Sequence, residues 1–138
     1  MELKRICVFC GSSLGTDDAY RKEATRLAET LISNNIELVY GGAKVGIMKV
    51  LADNMLHRNG RVTGVMPRSL VDKEIAHTGL SKLHIVESMQ ERKLLMAEIS
   101  DAFIAVPGGF GTLDEMAEMI TFNQLRIHDK ALGILNIK

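Results

Sequence analysis

The sequence predicts an α/β fold of three layers, a parallel sheet doubly wound by helices on both faces. Two observations predict it. Short apolar runs alternate with segments of helical spacing along the whole chain, and several of those runs end in glycine-rich turns.

The runs RICVF, IELVY, VTGVM, LHIV, AFIAV and ALGIL read as strands, apolar enough to be covered on both faces. Between the first two, Ala24, Leu27, Ala28, Leu31 and Ile32 recur at helical spacing. After the second run, Met48, Leu51, Ala52, Met55 and Leu56 do the same. A third helix opens at SMQE, where Ser88 and Glu91 fit a capping box, and carries Leu95, Met96 and Ile99. A fourth holds Leu113, Met116, Ala117 and Ile120. The long irregular piece from Pro67 to Lys82 reads as a candidate active-site loop. Strands alternating with helices imply right-handed crossovers, a parallel sheet of Rossmann-like type, and ligands beyond the carboxyl ends of its strands.

At 138 residues the chain is expected to form a single domain, residues 1–138, burying about 70% of its unfolded surface. Lys plus Arg and Asp plus Glu both number 17, so no net field is present to hold a polyanion. General nucleic-acid binding is disfavoured on that ground. No apolar run approaches the roughly 20 residues that span a bilayer, and the start MELKRICVFC lacks signal-peptide architecture. A cytoplasmic protein with no membrane partner is expected. Cys7 and Cys10 form C-x-x-C, but on a strand their side chains point to opposite faces, which favours buried small hydrophobes over a redox pair. His57, His77, His84 and His128 are scattered without ligand spacing, so no metal is expected. Of the eight methionines, six lie in helical segments and read first as core fillers.

Three glycine-rich turns leave strands toward the ligand edge: CGSS, YGGAKVG and PGGFGT. Bare backbone lets N–H groups close on an anion, and the helix that follows adds its positive end. A phosphate is the natural ligand. YGGAKVG approaches the dinucleotide fingerprint, but Ala43 takes the middle glycine position and no acidic ribose partner follows. G-K-[ST] is absent as well, so a nucleoside monophosphate or sugar phosphate fits better than NAD or ATP. Thr112 and Glu115 also fit a T-x-x-E capping box, a purely structural duty. Arg92 and Lys93 stand in the opening turns of a helix, where the dipole disfavours cations. A local rule broken at the ligand edge marks a candidate site.

PGGFGTLDE preceded by MQERK resembles the paired signature of the LOG family, the cytokinin riboside 5′-monophosphate phosphoribohydrolases, often mislabelled lysine decarboxylase. The resemblance extends through RICVFCGSS, LVYGGAKVGIM, GVMPRSL, EIAHTGL and TFNQLRIHDKALGILN. It implies hydrolysis of the N-glycosidic bond of a purine nucleoside 5′-monophosphate, without cofactor, by a homodimer. By that resemblance Gly108, Gly109, Gly111 and Thr112 cradle the phosphate, and Arg92 and Glu115 are the catalytic pair. Glu74, Lys93, Asp114 and Thr121 match positions that line the nucleotide site. Those residue types suit the reaction, because loss of a base builds positive charge at the anomeric carbon that a carboxylate offsets. No recognisable PLP site supports lysine decarboxylation.

The chain departs from the family pattern at several places. Ala43 replaces a glycine, Lys49 ends GIMK where GLMG is usual, Arg126 replaces a glycine and Ala131 a proline. Family members usually continue into a further C-terminal loop and covering helix, which this sequence is expected to lack. A non-catalytic nucleotide or cofactor carrier, resembling molybdenum-cofactor carrier proteins, is the alternative reading. Single-stranded DNA binding is disfavoured by zero net charge and 4% aromatic residues.

Overall fold

The computed structural model describes residues 2–11, 18–73, 76–108 and 110–135. The six expected strands are β1 (Arg5–Phe9), β2 (Glu37–Tyr40), β3 (Val62–Pro67), β4 (Lys82–Val86), β5 (Ala102–Ala105) and β6 (Leu132–Ile134). They form one parallel sheet in the order β4-β3-β2-β1-β5-β6. The order reverses beside β1, so the chain winds outward in both directions from it. That reversal opens a crevice at the carboxyl ends of β1 and β5, where such sheets take ligands.

Helices α1 (Asp18–Ser33) and α2 (Gly46–His57) cover one face, and α3 (Met89–Ile99) and α4 (Phe110–Gln124) the other. Strand alternation divides β1 between the two layers. Ile6, Val8 and Cys10 pack with Ala28, Leu31, Leu51 and Met55, whereas Cys7 and Phe9 pack with Met96, Met119 and Phe122. The two thiols therefore sit on opposite sides of the sheet, as their spacing implies. Five methionines (Met48, Met55, Met66, Met96 and Met119) are core residues. Each fully buried Leu or Met contributes about 1.5–3 kcal/mol of burial free energy.

Of the helices, α1, α2 and α4 end by a common device. Ile36 N–H bonds Leu31 O while Asn35 N–H bonds Ile32 O, and Gly60 and Asn59 repeat the pattern onto Met55 and Leu56. Ile127 and Arg126 do so at the end of α4. This is the Schellman motif, which puts its C′ residue in the left-handed region. Asn35, Asn59 and Arg126 stand there, with φ of 55°, 61° and 60°. Asparagine tolerates that conformation well. Arginine does not, so Arg126 occupies a position suited to the glycine it replaces.

Candidate active site

The Ser88 cap of α3 forms, but the return bond of the expected capping box goes to Glu87 N–H, one residue before the cap. Ser88 Oγ accepts from Glu91 N–H at 3.1 Å, and the Glu91 carboxylate reaches back to Glu87 N–H at 2.8 Å. This fixes the first turn of α3 and aims Arg92 under the carboxyl edge of the sheet. Arg92 is only 6% exposed. Its Nε donates to Val65 O at 2.9 Å and its Nη2 to Gly41 O at 2.7 Å, with Nη1 beside Met89 Sδ at 3.7 Å. A buried guanidinium is costly unless bonded in this way.

The glycines of YGGAKVG are explained by this seat. A Cβ at Gly41 would collide with the Arg92 guanidinium. Gly42 has φ of 86°, a left-handed conformation that glycine adopts without penalty. The second glycine turn thus makes room for an arginine rather than matching a dinucleotide fingerprint.

In the third turn, the position of a Cβ at Gly108 is already taken by the Thr112 hydroxyl, with Gly11 N 3.0 Å away. The first and third turns therefore touch through bare backbone. Gly111 differs: among the described residues nothing lies within 4 Å of where its Cβ would stand. Thr112 is buried at 7% exposure. A cleft of about 280 Å³, lined in part by Val106, Pro107, Thr112, Met116 and Leu135, flanks the loop at the same edge.

The capping reading of Thr112 and Glu115 does not fit the helix that forms. Helix α4 begins at Phe110, so Thr112 lies inside its first turn rather than at the cap. Glu115 is half-buried. Burial pushes the Cys10 thiol up to about 12, with the Glu115 carboxylate adding to the rise and Arg92 opposing it. Burial and then Glu115 also hold Cys7 well above the ordinary thiol value. Carboxylate and guanidinium, carried by different helices, thus act electrostatically on one point past the end of β1.

Lys93 faces α4. Burial alone lowers an ammonium pKa, but Asp114 at 3.1 Å and Glu118 at 3.6 Å outweigh it and keep Lys93 above its usual value. Asp114 therefore belongs with Lys93 in an α3–α4 pair beside the loop. Thr121 is not brought to this cluster. It lies about two and a half turns beyond Thr112 along α4, exposed, with its hydroxyl bonded to Ala117 O at 2.9 Å. Glu74 and Gly109 lie outside the described residues.

Sequence reasoning missed Tyr40, Asp53 and His77. Tyr40 Oη donates to Ala43 O at 2.9 Å, and His77 N–H donates to Gly42 O at 2.9 Å. The His77 ring lies 2.7 Å from Asp53, whose second oxygen accepts from Lys49 Nζ at 2.6 Å. Burial raises the Asp53 pKa, but the bonds from Lys49 and then His77 outweigh it and leave it lowered. The unusual Lys49 therefore faces Asp53. With 24 residues separating His77 from Asp53, no local pattern announces the pair.

The family described as possible lysine decarboxylase matches residues 48–138. The chain belongs to this family, the LOG family. This LOG-family chain is 49% identical over 133 residues to the probable cytokinin riboside 5′-monophosphate phosphoribohydrolase LOGL1 of Oryza sativa subsp. japonica, covering 96% of this chain and 60% of that protein. It is 46% identical over 137 residues to the cytokinin riboside 5′-monophosphate phosphoribohydrolase LOG1 of Arabidopsis thaliana, covering 99% and 64%. It thus spans 60% to 64% of the length of these two relatives. Among solved structures, the molybdenum cofactor carrier protein of Chlamydomonas reinhardtii matches with a TM-score of 0.73 and 17% identity, over 98% of this chain and 91% of that one. That likeness shows a shared fold alone.

Proposed function

We propose that this chain hydrolyses the N-glycosidic bond of purine nucleoside 5′-monophosphates, cytokinin ribotides or AMP, releasing free base and ribose 5-phosphate. The observation that supports the proposal is that Glu115 and Arg92, from different helices, both act electrostatically on Cys10 just past the end of β1, where Arg92 is held by Gly41 O. The names of relatives at 46–49% identity support it. In this reading the amides of Gly108 to Thr112 bind the 5′-phosphate, assisted by the positive end of α4. The Glu115 carboxylate offsets charge at the anomeric carbon and takes a proton from the attacking water. The water oxygen bonds to that carbon, the carbon–nitrogen bond breaks, and its electrons leave with the base, which gains a proton. Arg92, held from below by main-chain carbonyls, orients the reacting groups. Lys93, Asp114 and Thr121, together with Glu74 and Gly109, are assigned to the nucleotide site by family resemblance.

The finer setting is also proposed: a homodimer in the cytoplasm. Met89 and Leu94 on α3, with Leu113 and Ile120 on α4, are exposed apolar residues on neighbouring helices, which suits a subunit contact. The free thiols of Cys7 and Cys10 suit a reducing compartment. Light scattering on an eluting column peak reports the dimer directly.

The decisive assay incubates the protein with AMP and with isopentenyladenosine monophosphate and follows free base by chromatography. Base release that disappears in a folded Glu115→Gln variant is the expected result. Tight nucleotide binding without turnover, or turnover that survives in that variant, overturns the proposal.

A further inference from the structure

Three successive carbonyls of the second glycine turn each receive a donor from a different part of the fold. Gly41 O accepts from Arg92 Nη2, Gly42 O from His77 N–H, and Ala43 O from Tyr40 Oη. Tyr40 is rigid, being fully buried on β2. His77 lies in a loop and needs fixing by its side chain. Gly79 N–H donates to His77 Nδ1 at 2.9 Å, which makes Nδ1 an acceptor. The ring hydrogen is then on Nε2, directed at Asp53 Oδ1 at 2.7 Å. Asp53 is itself held from α2 by Lys49. The ring is 9% exposed, and an antiparallel bridge between Ala43 and Ala76 continues the same attachment.

We infer that His77 is a positioning residue for Arg92: the Lys49–Asp53–His77 chain sets the Gly41–Ala43 turn, and with it the carbonyl on which the guanidinium rests. The guanidinium fills the space that a side chain at Gly41 would need, so its position is tied to that of the turn. A tilt of the turn moves Gly41 O and Gly42 O together because they belong to adjacent residues. The loss of His77's side chain therefore reaches Arg92 without any contact between the two side chains. This inference rests on the proposed function only for its effect on turnover; its effect on the arginine is independent of that reading.

The test uses the full chain and the variants His77→Ala, Asp53→Ala and Asp53→Asn, each checked for folding. The exchange rate of the Arg92 Nη hydrogens with water, read in an arginine side-chain NMR spectrum, reports the Gly41 O contact without any activity. His77→Ala and Asp53→Ala are expected to raise that rate roughly tenfold. Asp53→Asn, which keeps an acceptor for Nε2–H, is expected to restore most of the protection. In the base-release assay, His77→Ala is expected to lower kcat/KM about tenfold in the wild-type background and to have little effect when Arg92→Ala is already present. Unchanged Arg92 exchange in a folded His77→Ala or Asp53→Ala variant overturns the inference. A full-sized His77 effect that persists in the Arg92→Ala background does so too. If His77→Ala fails to fold, Asp53→Ala decides. If the wild type releases no base from AMP or its prenylated analogue, the proposed function fails, while the exchange rates still decide the role of His77.

Discussion

The two edges of the sheet use the same residue types in opposite ways. At the amino edge, Asp101 accepts from Lys4 N–H and Arg5 N–H at 2.8 and 2.9 Å, and Arg5 and Arg61 share Glu37 at 3.5 and 3.3 Å. The arginine and glutamate side chains there are 31% to 55% exposed. Such pairs are each worth about 0–1 kcal/mol and stitch the strand starts together. At the carboxyl edge, His77, Arg92, Lys93 and Thr112 are all below 10% exposure. Desolvating cations costs several kcal/mol unless every bond is made. An arrangement that is only structural has a cheaper solution at the other edge, one strand length away. The costly one is where the proposed chemistry would take place.

The comparison is broken most severely by removing its charged centre. Glu115→Gln is expected to lower base release by roughly 10²–10⁴-fold while the melting temperature stays near wild type. Arg92→Ala is expected to lose turnover to a similar degree and also about 1–3 kcal/mol of stability, because Gly41 O and Val65 O lose a buried donor. Rate measurement together with thermal melts separates the two. A milder break keeps every charge. In Gly41→Ala the added methyl displaces the guanidinium, and kcat/KM is expected to fall by about 10–100-fold with Arg92 still present.

The amino edge answers in stability rather than rate. Asp101→Ala is expected to cost about 1–2 kcal/mol in a denaturant titration and to leave base release unchanged. The Asp101 pKa is lowered chiefly by the Arg5 N–H bond, which, with Lys4 N–H, outweighs the opposing effect of burial. Its folded value lies below its unfolded one, so its contribution is present above roughly pH 3.9 and is lost as pH falls through the folded value. The acid limb of the wild-type stability curve should therefore be steeper than that of the variant. The smallest effect is expected away from both edges. Arg126→Gly relieves a left-handed φ of 60° and should stabilise by about 0.5–1 kcal/mol, with the flexibility of glycine in the unfolded chain offsetting the rest.

What could be read from sequence follows from how far apart the interacting residues lie. AFIAV announces β5 because a buried parallel strand is a continuous apolar run, and SMQE announces α3 because a cap is local. The glycine loop and its glutamate stand out as candidates for the same reason, being a local pattern. The duty of the T-x-x-E pair was not legible, because spacing alone cannot say that α4 starts at Phe110 instead of after Thr112. The seat of Arg92 joins residues 51 apart. Only the lateral order of the strands brings them together, so Gly41 looked like a ligand glycine. Lys49 stood out as unusual but gained a meaning only once α2 had placed Asp53 next to His77.

The neutral thiol beside the two charged groups carries a practical consequence. Burial pushes the Cys10 thiol up to about 12, so at neutral pH the sulfur is held as the poorly nucleophilic thiol. Iodoacetamide and dissolved oxygen find almost nothing there to attack. Labelling with iodoacetamide at neutral pH should therefore leave Cys10 unmodified in the folded protein.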